Sequence, residues 1–429
     1  MQFWALLIRN PEEQSGDNGG MEYLRPSFSN PGCLNRRSFL SGAAAVTLAS
    51  LLAGCSSPDQ AVLKVRLLSG SIPPQVVGRF RRVLEQARNS AHLDFASELQ
   101  LQTLFTQLQT WKQQQDSSQD SGFRLPSWFP GANRLEAGGA DLVTLGHAWL
   151  ETAIRQGLIQ PLEAGSLPAT RALFQDSRWQ ALVTRNDQGL PDPRGKLWAA
   201  PYRWGTTVIA YRQDIFRKRG LQPPTDWPDL WRSDLRRQIS LLDQPREVIG
   251  LTLKKLGKSY NTADLTTVSG LESELQALQQ QVKLYSSTAY LQPLILEDTW
   301  VAVGWSTDLL PLMQNNPNIA AVVPRSGTAL WADLWVRPTS SKTTASLVTD
   351  WINFCWQPDI ASQLSVVSRA TSPIVLTLDR GQLPTELRQN PILLPDPAVL
   401  AASEFLLPLP ESSLRQYQEL WRKVRLSEV

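Results

Sequence analysis

A chain of 429 residues, 42% of them hydrophobic, exceeds what one core usually fills, so two globular units are expected. Its 42 basic and 39 acidic residues nearly cancel, leaving +3, which excludes nucleic acid or an anionic membrane surface as the default partner. Three cysteines cannot build a disulfide framework, and two histidines leave little material for a metal site or a His-assisted nucleophile, so no metal and no cofactor are expected. Sixteen tryptophans are the unusual feature, serving either as core bulk or as flat apolar walls around a ligand.

In chain order, Asn35-Arg36-Arg37-Ser38-Phe39-Leu40 precedes an apolar, small-residue run over 42–53 and then Gly54-Cys55 and the polar residues 56–60. Charged head, apolar middle and small-residue exit read as a signal peptide over 1–54. The run is shorter than the roughly 20 residues a spanning helix needs. Arg36-Arg37 resembles a twin-arginine export signal, with general secretion the alternative route. Leu52-Ala53-Gly54-Cys55 resembles the bacterial lipobox, which implies lipidation of Cys55, a linker over 55–60 and a membrane-anchored periplasmic protein. The leader before the arginines is long, so Met21 is a candidate start beside Met1.

The remaining chain alternates short apolar β-prone runs with helical periodicity. Residues 63–68 read as a strand, followed by the turn Ser69-Gly70-Ser71 and a helix after Pro73-Pro74. A second unit joins 92–95 to a helix carrying Leu101, Leu104, Phe105, Leu108 and Trp111 on one face. Residues 113–121, polar and low in complexity, read as a flexible surface loop. Residues 141–146 form a buried strand into a helix capped by Gly157, and further βα units begin at 206–211, 239–242 and 301–304. The alternation predicts an α/β protein with parallel strand pairs. Cys355, in the apolar run 351–356, reads as a buried inert thiol.

An ordered series of segments spans nearly all of this region: Ala200-Pro201-Tyr202-Arg203-Trp204-Gly205-Thr206-Thr207, Asp226-Trp227-Pro228, Asp243-Gln244-Pro245-Arg246-Glu247, Gly304-Trp305-Ser306, Trp331-Ala332-Asp333 and Trp351-Ile352-Asn353-Phe354. Together they resemble the periplasmic spermidine/putrescine (polyamine)-binding branch of the ABC-transporter solute-binding proteins. The resemblance implies the type II periplasmic-binding-protein fold, two α/β lobes with the ligand cleft between them. It places one lobe at 61–207 plus 332–378 and the other at 208–331 plus 379–429. It also implies a small-molecule ligand, inner-membrane ABC permease subunits as partners, and no catalysis.

Removing an alkylammonium from water is costly unless a carboxylate or an aromatic face takes over its charge. By the resemblance, the aromatic wall falls on Trp305 and Trp331 and the amine-binding acid on Asp333, with a second acid at Glu247. Gln244 stands where these proteins tend to carry an acid, Asp243 adjoins it, and Ser71 and Trp204 complete the candidate set. Each also has a structural reading: the indoles as core bulk, Glu247 as an acid favoured by a helix N-terminus, Trp204 as hinge packing. Fewer acids suit fewer positive charges, so a diamine, an amino-acid-like zwitterion, a compatible solute or a sugar are alternatives to a larger polyamine. An envelope lipoprotein without a ligand is the alternative of another class. No G-x-S-x-G elbow, H-E-x-x-H or P-loop is present to support an enzyme.

Overall fold

The computed structural model describes residues 62–87, 91–120, 139–341 and 343–426. The leader with Arg36 and Arg37, both candidate start residues, Cys33, Cys55 and the linker 55–60 lie outside the described residues.

The first part of the chain supplies β1 (Val62–Leu68), β2 (His92–Glu98), β3 (Leu142–Gly146), three two-residue strands β4 (Ile159–Gln160), β5 (Thr184–Arg185) and β6 (Lys196–Leu197), and the 13-residue β7 (Ala200–Arg212). Then follow β8 (Ile239–Leu241), β9 (Val282–Tyr285), β10 (Val301–Trp305), β11 (Ile319–Val322), β12 (Ala329–Pro338) and β13 (Glu404–Phe405). Eight of them form one path, β2-β1-β3-β12-β7-β10-β8-β9, with β11 on β7 and with β4 and β13 on β12. As the βα alternation predicts, β1 pairs in parallel with β2 and β3, and β8 with β9 and β10.

The strand that organises the molecule is β7. From Ala200 to Thr206 it runs antiparallel to β12, and from Thr207 to Arg212 antiparallel to β10 and β11. It is buried almost throughout, which suits a sequence in which Tyr202, Trp204, Thr206, Thr207, Val208, Ile209 and Tyr211 supply aromatic and β-branched side chains and Pro201 stands near its start. Alternation sends successive side chains to opposite faces, so Val208 and Ala210 enter one apolar cluster while Ile209 enters another. A separate, larger cluster joins β1, β3, the beginning of β7, β12 and the helix Ala345–Cys355. Phe80, Phe95 and Trp335 pack around Trp351 there, and Cys355 is buried and free. Several tryptophans therefore are core bulk.

One expectation is corrected. Residues 113–120 are not a loop but the last turns of the helix Leu101–Asp120. Glutamine is a good helix former, and Lys112 pairs with Asp116 at 2.5 Å across one turn, so a polar run of low complexity suits an exposed helix.

Candidate functional site

Where β7 changes partners, between Thr206 and Thr207, a fourth and much smaller apolar cluster forms from Leu242, Tyr290 and Trp305, with Leu291 and Trp331 packed against it. Two glycines make this junction possible. A Cβ on Gly205 would run into the Trp331 ring and Ser306 Oγ, and one on Gly304 into the Tyr290 ring. Ser306 Oγ accepts a hydrogen bond from Thr206 N at 3.1 Å, tying β7 to the helix that follows β10.

Glu247 reaches the same place from the first turn of the helix Pro245–Lys255. It is 7% exposed and accepts hydrogen bonds from Thr207 Oγ1 at 3.0 and 3.2 Å and from Trp305 Nε1 at 3.4 Å. No cation pairs with it among the described residues: neighbouring Arg246 donates instead to Leu407 O, Tyr260 O and Asn261 Oδ1. Burial pushes the Glu247 carboxyl up to about 7, against the pull of its two donors and of Arg246. Behind Trp305, Tyr290 stands edge-on at 6.0 Å and donates from its hydroxyl to Asp308 Oδ2 at 2.8 Å.

Asp333 lies on β12 opposite Arg203 on β7 and is 3% exposed. Its Oδ2 receives both Nε and Nη2 of Arg203, each at 2.7 Å, and the same guanidinium lies 5.9 Å from the Trp331 ring centre. Burial pushes the Asp333 carboxyl up while Arg203 pulls it down. The carboxylate assigned to a guest cation is thus already neutralised from within the chain. Beside this pair, Tyr202 Oη shares a hydrogen bond with Thr144 Oγ1 at 3.0 Å and stacks on Trp335 at 4.2 Å. Ser71 is buried next to that hydroxyl.

The remaining candidates fall differently. Gln244 caps the helix before Glu247, its carbonyl accepting from Glu247 N and Val248 N and its amide donating to Ser287 Oγ at 3.1 Å. Asp243 is half-buried, and its backbone oxygen accepts from Ser287 Oγ at 3.2 Å. Trp204 does not join the site. Alternation along β7 turns it away from Arg203 and Gly205 into the large cluster, where its ring meets Trp179 edge-on at 6.1 Å. Arg203, Thr207, Tyr290 and Asp308 are the residues that sequence reasoning passed over. A lone arginine between Tyr202 and Trp204 in an otherwise apolar strand was the available signal for the first. Among the described residues no group of His, Cys, Asp and Glu side chains is placed to hold a metal ion.

Residues 139–401 match the family model for bacterial extracellular solute-binding proteins. The chain belongs to that family. It is similar to the putrescine-binding periplasmic protein PotF of Escherichia coli, at 27% identity over 315 residues, 68% of this chain and 80% of the relative. Its fold is that of the spermidine/putrescine ABC transporter substrate-binding protein PotD of Streptococcus pneumoniae, with a TM-score of 0.68 at 19% identity over 85% of this chain and 99% of the other. The Tp0655 lipoprotein of Treponema pallidum aligns over 85% of this chain and 99% of its own, at 16% identity and a TM-score of 0.59. The architecture is therefore the two-lobed α/β periplasmic-binding-protein fold with its ligand cleft between the lobes. By the family's description the role is extracellular solute binding and not catalysis.

Proposed function

We propose that this chain is a lipid-anchored periplasmic protein that captures a small cationic amine for an ABC importer. The observation that carries the reading is Glu247, a buried carboxylate with no cationic partner among the described residues, held by Thr207 and Trp305 in an aromatic junction that also contains Trp331. An ammonium brought to Glu247 supplies the missing positive charge, and the indoles cover its methylenes with cation–π attraction of about 0.5 to 2 kcal/mol each. Relatives named for putrescine and spermidine support an amine, and the separate apolar clusters on either side of the β7 junction support lobes at 61–207 plus 332–378 and 208–331 plus 379–429. The Arg36-Arg37 leader and the Leu52-Ala53-Gly54-Cys55 sequence support export and acylation at Cys55.

Calorimetric titration of the full-length protein in detergent with amines, betaine and sugars tests the reading. Amines are expected to bind, and Glu247→Gln to weaken them by about 10- to 100-fold, the worth of a hydrogen bond to a charged group. Binding of a sugar instead, or amine binding indifferent to Glu247→Gln, refutes it. Cys55→Ala is expected to release the protein from the membrane fraction.

A further inference from the structure

The contacts around Asp333 say which amine fits, given the amine reading above. Arg203 already occupies the place a second ammonium would take: its guanidinium is 2.7 Å from Asp333 Oδ2 and 5.9 Å from the Trp331 ring centre, and both ion-pair side chains are nearly fully buried. A donor is left over at this end: Trp331 Nε1 is buried without a hydrogen-bond partner among the described residues.

Of the other carboxylates, Glu247 pairs with no cation among the described residues, whereas Asp308 is engaged by Tyr290 and lines an outer depression with Leu291, Gln292, Ile295 and Leu296. A ligand with ammonium groups at both ends would bring one of them against a guanidinium and the indole N–H of Trp331. A ligand with an ammonium at one end and a carboxylate at the other meets Glu247 with the first and those donors with the second.

We propose that Arg203 is the specificity-determining residue of this cleft, a built-in counter-ion to Asp333 that disfavours diamines and favours amines whose other end is a carboxylate, the ω-amino acids. Where polyamine recognition uses a second guest charge, this chain supplies its own.

The test is competitive titration of the full-length protein with matched pairs, each an ω-amino acid and the α,ω-diamine of the same carbon number, from two to six methylenes. In the best-bound pair the amino acid is expected to bind at least tenfold more tightly than the diamine. Arg203→Met, which leaves Asp333 unpaired, is expected to reverse that order, and Arg203→Met combined with Asp333→Asn to leave the diamine without its gain. Tighter binding of the diamine by the unmodified protein overturns the assignment without needing any variant to fold, as does an order unchanged in a folded Arg203→Met protein. If diamines bind and Glu247→Gln abolishes them, the amine reading survives and only the role of Arg203 falls. If no member of any pair binds, both fall together.

Discussion

Glu247→Gln reaches the physics of the site even before any ligand is added. In the unfolded chain this carboxyl titrates near its ordinary 4.5, and in the folded protein burial moves it up to about 7. Folding therefore favours the protonated form. Below pH 4.5 both states are protonated and ionisation costs nothing; between 4.5 and 7 the unfolded chain alone releases the proton; above 7 the folded protein carries the buried charge. Stability is accordingly lost as pH rises through this window and then levels off, by roughly 3 kcal/mol at 1.36 kcal/mol per pH unit. Glutamine keeps the shape and carries no charge, so the variant should lack this component. Urea unfolding followed by tryptophan fluorescence at pH 5 and pH 8, for both proteins, measures the difference directly. A bound cation should restore the lost stability at pH 8 in the native protein and not in the variant. Identical pH dependence in the two proteins would show that Glu247 is hydrated, and the assignment of an unpaired buried carboxylate would fail.

Three further outcomes are expected. Asp333→Asn leaves the Arg203 guanidinium buried without its counter-ion and should cost about 3 to 5 kcal/mol in denaturant unfolding; an acid held only for a ligand would cost far less. Gly205→Ala drives a methyl group into the Trp331 ring and Ser306 Oγ, and should lower stability by about 1 to 3 kcal/mol in thermal melts while abolishing ligand titration. Burial pushes the Cys355 thiol well above its ordinary range, so maleimide should label it only after unfolding; labelling of the native protein at the unfolding-independent rate of a free thiol would contradict its place in the core.

Much of this architecture was legible because the periodicities are local. The strand over 63–68, the helix after Pro73-Pro74, Gly157 as a left-handed helix end, and the βα unit at Ile239–Leu241 all follow from residues within a few positions of one another. The extent of β7 did not, because Pro201 and Gly205 look like breakers until β12 and β10 are seen to supply the hydrogen bonds on either side. Asp333 could be read as an inward-facing acid from its apolar neighbours. Its partner could not, since Arg203 is 130 residues away and meets it only through the antiparallel register of β7 and β12, which shifts just after Asp333. Trp204 illustrates the reverse error: alternation relative to Arg203 and Gly205 already sent it to the other face, and only its place within a family-like segment suggested otherwise.

If the proposed site holds, the change of partners along β7 puts recognition at the point where the strand passes from one set of neighbours to the other. Gly205 lies under Trp331 on one side of that point, Thr207 holds Glu247 on the other, and a single peptide unit connects each to Thr206. Any twist of the strand there moves the indole and the carboxylate relative to each other. Conversely, a guest that fixed their spacing would set the twist of the strand at that point, so that under the proposed reading a displacement of a few side chains would be amplified toward the far ends of the sheet.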